Sequence, residues 1–278
     1  MSKVRLDLLL VERGLAESRA KAQALIMAGQ VRVDGQVELK ASAALAPEAR
    51  LDLEMTPRFV SRGGDKLEAA LVAFPILVEG RLCADVGAST GGFTDCLLQH
   101  GAAKVYAMDV GKGILHWKLR SDPRVIVMEE TNARYVEALP EPVSLATIDA
   151  SFISLKILLP VVKGWLSPSA SPNLSEMKGV LRSGDGGGEV LALIKPQFEA
   201  GRKESAKHKG VIRDPQIHQA ILLDLLAFAQ GQDFSLRGLL RSPVLGPKGN
   251  VEFLAWLGVG GRSADVHSLV EQVLVRPS

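Results

Sequence analysis

From Leu82 to the C-terminal region, short apolar strands alternate with helical patterns, and this alternation constrains the fold more than any other feature. The expected strands are Leu82–Asp85, Lys104–Asp109, Arg124–Met128, Leu145–Asp149, Val190–Ile194, Ser235–Pro243 and Glu252–Gly258. Helical patterns fall between them, notably Phe93–His100, Pro215–Gln230 and Ala264–Val273. That rhythm predicts an α/β fold with a mostly parallel, doubly wound sheet. The last two strands are joined by the short loop 245–250, which predicts an antiparallel pair at one edge. A length of 278 residues leaves room for one large domain and a small one.

The first strand runs into Asp85-Val86-Gly87-Ala88-Ser89-Thr90-Gly91-Gly92-Phe93-Thr94, a glycine turn that opens a helix. In open α/β sheets, ligands bind at the carboxyl ends of the strands, where such a turn sits. No Gly-Lys-Ser/Thr follows, so the turn is not a P-loop, and Ser89 breaks the dinucleotide spacing. An acidic residue opening a glycine turn suits a ligand with a cationic amino-acid end, of which S-adenosylmethionine is one. Asp109, ending the second strand, is placed to accept hydrogen bonds from ribose hydroxyls.

The N-terminal residues read differently. Helical periodicity over residues 4–16 ends at Gly14, and Ser18 caps a second helix, Arg19–Ala28, closed by Gly29. Val31-Arg32-Val33-Asp34-Gly35-Gln36-Val37 alternates around an Asp-Gly turn, a hairpin signal. Over residues 1–32, six Lys/Arg stand against three Asp/Glu. We expect a small α+β domain over 1–57, a linker over 58–61 and the large domain over 62–278. Within the latter, the Ser/Pro/Gly-rich stretch 166–188 reads as a flexible insertion.

Composition excludes some classes. The net charge of +2 does not by itself announce a nucleic-acid partner, so that inference rests on local clusters. Cys83 and Cys96 lie in apolar surroundings, read as reduced thiols and offer no metal spacing. His208 has no second His or Cys at ligand spacing, so no metal is expected. Early charges at the N-terminus argue against a signal peptide, and no apolar run reaches the ~20 residues of a membrane span. Trp117, Trp165 and Trp256 sit in apolar contexts and are expected in the core.

Four segments flank the glycine turn: Ser61–Leu67, Thr147–Phe152, Leu193–Glu199 and Gly249–Phe253. Wound as expected, they converge at the strand-end crevice. Lys195 follows an apolar strand and precedes a proline, so its ammonium emerges at the ligand edge. The N-terminal residue order, Arg5-Leu6-Asp7 through Gln23 and Ala28 through Gly35, closely resembles the S4 RNA-binding domain. With Ser61–Leu67, Asp85–Thr94, Asp149–Leu155 and Lys195–Glu199, the chain resembles the TlyA-type, hemolysin A-like rRNA methyltransferases over nearly its full length. In these, an S4 domain joins an FtsJ-like domain.

The resemblance implies a Rossmann-like class I methyltransferase sheet with a small S4-like domain, and 2′-O-methylation of cytidine in ribosomal RNA. It implies a catalytic tetrad Lys66, Asp149, Lys195 and Glu252, with S-adenosylmethionine as cofactor. Asp85, Gly87, Ser89 and Gly91 are expected around its methionine portion, Asp109 at its ribose and Asn132 near its adenine. Arg5, Arg19, Lys21 and Arg32 become candidate phosphate contacts. Arg202, Lys203 and Lys207, in the basic loop 198–213, suit an RNA-engaging lid. The expected partners are ribosomal RNA or ribosomal subunits in the cytoplasm, with no membrane and no obligate protein partner. Two competitors stand beside this reading. A base N-methyltransferase fits Phe152 but lacks the usual prolines after Asp149. A non-catalytic RNA-binding or membrane-active hemolysin would have no use for the tetrad.

Overall fold

The computed structural model describes residues 3–53, 57–167, 187–201 and 207–275, which fall into two compact units, Met1–Arg58 and Phe59–Ser278. In the first unit, strand β1 (Val4–Arg5) leads into helix α1 (Leu6–Glu12), and α2 (Arg19–Met27) follows. The expected first helix starts two residues late because Val4 and Arg5 pair with β4 (Ala44–Leu45). Ser18 caps α2 by accepting a hydrogen bond from the Lys21 amide. β2 (Val31–Val33) and β3 (Gln36–Val37) form the expected hairpin. Asp34 and Gly35, with φ of 50° and 85°, make its turn. β5 (Leu51–Leu53) pairs with the other side of β2. Leu6, Leu10, Ala22, Ile26 and Val31 form this unit's small core.

The second unit opens with residues expected to be a linker. Phe59 is buried, and the Val60 amide donates to Asp95 Oδ2 at 2.9 Å. Helix α3 (Gly63–Ala73) follows, with Gly64 pressed on the Phe59 ring, where a Cβ would lie 2.2 Å away. Next come β6 (Leu82–Val86), α4 (Gly92–Gln99), β7 (Lys104–Met108), the short α5 (Trp117–Arg120), β8 (Val125–Met128) and β9 (Leu145–Ile148). Then come α6 (Leu155–Trp165), β10 (Glu189–Ile194), the one-turn α7 (Pro196–Glu199), α8 (Pro215–Gly231), β11 (Phe234–Arg241), β12 (Phe253–Val259) and α9 (Val266–Val275).

Among the described residues, seven strands form one sheet in the order β11-β12-β10-β9-β6-β7-β8. β10, β9, β6, β7 and β8 run parallel, and β12 is antiparallel to both of its neighbours. The antiparallel pair stands at one edge, and its reversed member is the inner strand. The crossover through α8 sets β11 one place out, and β12 returns into the gap between β11 and β10. Two apolar clusters cover the sheet's faces, one including Val86, Ile148 and Ile194, the other including Cys83, Leu145 and Leu193.

At the amino-terminal end of the sheet, Glu189 accepts from Arg81, Arg237 and the Trp256 indole at 2.6, 2.8 and 3.0 Å. Arg81 also donates to Ser144 Oγ at 3.0 Å. This network ties the first residues of β9 and β10 to β11 and β12. Trp165 is buried as expected. Trp117 is 73 % exposed, against expectation, because the single turn of α5 buries Leu119 and leaves Trp117 on its solvent side. Of the stretch 166–188, residues 168–186 lie outside the described residues, as do Arg202 and Lys203.

Candidate active site

The glycine turn joins β6 to α4 at the carboxyl edge of the sheet. Gly87, at φ 86°, passes so close to β9 that a Cβ would lie 2.7 Å from the Asp149 carbonyl oxygen. Ser89 adopts φ 51°, a left-handed conformation held by a hydrogen bond from its amide to Asp109 Oδ2 at 2.8 Å. The other carboxylate oxygen of Asp109 accepts the Gly111 amide at 2.8 Å. Asp109 thus fixes both the glycine turn and the bend after β7, and each of its oxygens retains a lone pair.

Two clefts open at this edge. The larger, about 560 Å³, is bordered by Gly87, Ser89, Asp109, Asn132 and Asp149, with Ile114 and Ile157 as apolar walls. Its volume suits a nucleoside-sized ligand. The smaller, about 310 Å³, is bordered by Ser61, Arg62, Lys66 and Leu245. Gly87, Ser89 and Asp149 border both. The structure therefore brings four of the six expected cofactor residues to one cleft.

Asp85 and Gly91 are not on either wall. Asp85 is fully buried, and its carboxylate accepts from Thr94 Oγ1 at 2.7 Å and Thr147 Oγ1 at 3.0 Å. Burial pushes its pKa up to about 6. Its side chain falls on the inner face of the strand end, opposite Thr147 in the β6–β9 register. Gly91 caps α4 at φ 99° and packs on Leu119, where a Cβ would meet a methyl at 2.1 Å.

The four expected tetrad residues form two ion pairs. Lys195 Nζ lies 2.6 Å from Asp149 Oδ1, and it donates to Ser151 Oγ at 2.9 Å and to the Asp149 carbonyl at 3.3 Å. Lys66 Nζ lies 2.6 Å from Glu252 Oε2. Glu252 is fully buried, and its Oε1 has no hydrogen-bond partner. Local structure explains both pairs. Lys195 is the residue between the end of β10 and Pro196, which starts α7. Lys66 sits in the first turns of α3, and Glu252 precedes β12.

Sequence reasoning missed the residues that brace these groups. Glu199 holds the start of α6, accepting from Ser154 Oγ at 2.5 Å and from the Leu155 amide at 2.8 Å. Burial raises its pKa. Glu129 accepts from the Gly113, Ile114 and Leu115 amides and from Arg120, shaping the loop that walls the larger cleft. The Gly113 amide is the main cause of a Glu129 pKa held down to about 2. Asn250 accepts from the Ile212 amide at 3.3 Å and donates to the Gly210 carbonyl at 3.0 Å, tying the base of the basic loop to the loop before Glu252. These partners lie far apart in sequence; Glu199 and Asn250 stand inside segments that pattern reading singled out, but their partners could not be read there.

In the first unit, Asp7 is fully buried and accepts from Arg5, Arg19 and Gln23, the last two at 2.9 Å. The hydrogen bond from Arg5 is the main cause of an Asp7 pKa well below the usual carboxylate range. Arg5 and Arg19 are thereby held side by side, each with a partly exposed side chain. Lys21 is exposed, and Arg32 donates to the Gly35 carbonyl at 3.2 Å. Lys207, within the basic loop, is exposed.

Comparison with known proteins bears on these two units separately. Residues 59–259 match the FtsJ-like methyltransferase family, and residues 4–51 match the S4 domain. A candidate rRNA methyltransferase of Bacillus subtilis, YqxC, is 44 % identical over 281 residues, covering 99 % of this chain and 92 % of its own. The 16S/23S rRNA (cytidine-2′-O)-methyltransferase TlyA of Mycobacterium tuberculosis is 43 % identical over 259 residues, covering 92 % and 90 %. A solved structure of a candidate hemolysin from Streptococcus thermophilus is 40 % identical with a TM-score of 0.69, covering 99 % and 95 %. Among the described residues, no helix is long and apolar enough to cross a membrane.

Proposed function

Because the chain belongs to the FtsJ-like methyltransferase family and carries an S4 domain, we propose that it is an S-adenosylmethionine-dependent ribose 2′-O-methyltransferase acting on cytidine in ribosomal RNA. The observation that carries this reading is the Lys195–Asp149 pair, with Asp149 on the wall of both clefts. In this reading the larger cleft takes the methyl donor and the smaller takes the ribose. The donor set of the larger cleft fits S-adenosylmethionine: carboxylates at Asp109 and Asp149 suit a ribose diol and a cationic ligand, and Asn132 offers an amide among apolar walls. When bound, that molecule supplies an electrophilic methyl on a sulfonium.

The chain's own groups do the rest. A ribose hydroxyl is a weak nucleophile, and holding it in line supplies much of the acceleration. Lys195 is the group that steers or accepts its proton. Lys195 Nζ donates to the Asp149 carbonyl and the Ser151 hydroxyl and lies beside the Asp149 carboxylate, which fixes its position at the cleft. Lys66, fixed by Glu252, orients the hydroxyl from the smaller cleft. Asp85 braces the turn from inside rather than touching the donor. Arg5, Arg19, Lys21 and Arg32 grip RNA by its backbone, a role that needs no base reading. Acting on ribosomal RNA puts the protein in the cytoplasm.

The test is to map ribose methylation in both ribosomal RNAs with and without the protein, beside its Lys195→Ala variant. We expect a 2′-O-methylcytidine that depends on the protein, loss of at least 100-fold in methylation rate in the variant, and donor affinity kept within about threefold. Methyl on a base, as the exposed Phe152 at the cleft rim would favour, or an active Lys195→Ala variant overturns the assignment.

A further inference from the structure

Away from this site, α3 and α4 bring together Glu68, Cys96 and His100. One ligand atom of each lies within 4.8 Å of the others. Cys96 and His100 stand one helical turn apart and so share a face. Glu68 meets them from α3. Its Oε2 is 3.1 Å from His100 Nε2 and 3.7 Å from Cys96 Sγ. Around a tetrahedral zinc ion, with bonds of about 2.0–2.3 Å, such atoms are separated by about 3.3–3.6 Å. The two edges that meet at Glu68 therefore already match that polyhedron to within a few tenths of an ångström, and the third pair lies within 4.8 Å.

Two further observations point the same way. His100 Nδ1 donates to the Cys96 carbonyl at 2.9 Å. That outer hydrogen bond is the one ligating histidines carry, and it leaves Nε2 as the coordinating nitrogen. Nε2 then faces the Glu68 carboxylate oxygen, so two donors of different chemistry point at one spot. The cluster is also reachable: Glu68 and His100 keep 20 % and 29 % of their side-chain surface exposed, while Cys96 is buried.

We propose that Glu68, Cys96 and His100 form a zinc(II) site, completed by a water in the open fourth position. Sulfur and imidazole donors select zinc over magnesium or calcium. On loading, the Cys96 thiol releases its proton to solvent, the imidazole stays neutral and Glu68 binds as carboxylate, so the dication meets two negative charges. The ion would clamp the helix that carries Lys66 to the helix that follows the glycine turn. It takes no part in methyl transfer. Spacing alone passes over the site because Glu68 is remote from the Cys96–His100 turn in sequence.

The test uses the full chain, stripped with a chelator, dialysed and titrated with zinc or cobalt(II). We expect one zinc per chain, a rise in Tm on loading, and a thiolate-to-cobalt charge-transfer band. His100→Gln and Glu68→Gln should each weaken zinc binding at least tenfold, while the metal-free Tm stays near that of the metal-free parent. Cys96→Ser should lose the charge-transfer band. If Cys96→Ser does not fold, the two partly exposed positions still decide. Less than one zinc per chain, no charge-transfer band, or unchanged affinity in His100→Gln overturns the proposal.

Discussion

Asp85 carries a cost that its neighbours only partly offset. Its folded pKa of about 6 lies above the ~3.9 of an unfolded aspartate, so between those values the native state holds more protons. Stability from this group therefore falls as pH rises from about 4 to about 6 and stays lowered above that. Asp85→Asn should remove that slope and raise stability at pH 7.5 by about 1–3 kcal/mol, with donor affinity nearly unchanged. Urea unfolding across pH, beside a donor titration, checks both; an unaltered slope would count against the assignment. Lys66 and Glu252 behave differently, because Glu252 is fully enclosed with one oxygen already unpartnered. Lys66→Ala strands a buried carboxylate and should cost about 3–5 kcal/mol. Lys66→Met with Glu252→Gln should recover most of that stability and none of the methylation, which separates folding from chemistry in the same two measurements.

Helix α6 depends on a residue outside it. Glu199 accepts from Ser154 and the Leu155 amide, and the loop it steadies also holds Asp149 and Ser151. Glu199→Ala should cost about 1–3 kcal/mol and slow methylation, with weaker donor binding because that loop walls the larger cleft. Calorimetry and single-turnover rates test this. The same elements show what a sequence discloses. Strand ends and turns were legible because they are local: the glycine turn, the Asp34-Gly35 hairpin, and Lys195 emerging after an apolar strand. Which wall a strand-end residue faces was not, since Asp85 and Gly91 differ from Gly87 and Ser89 only in orientation. Long-range braces were hidden for a related reason. Glu199 meets Ser154 and Leu155, and Asn250 meets Gly210 and Ile212, only after the sheet has assembled. Trp117 misled because Leu115 and Leu119 nearby do not reveal that the one turn it starts buries Leu119 and not the indole.

At the scale of the whole molecule, the near-neutral total charge conceals a division of labour. The basic side chains clustered around Asp7 belong to a unit with its own small core. Replacing Arg19 and Lys21 together by Ala should weaken rRNA binding and reduce the salt slope by about 2, with donor binding by the other unit untouched. Filter binding at several salt concentrations reads this out. Strand order adds a constraint in time. β12 is the last strand of the sheet to be synthesised, yet it lies between β10 and β11, and Glu252 immediately precedes it. Until it arrives, β10 has an open edge and Lys66 has no carboxylate partner. If the tetrad acts as proposed, the site stays chemically unfinished until that strand has been made.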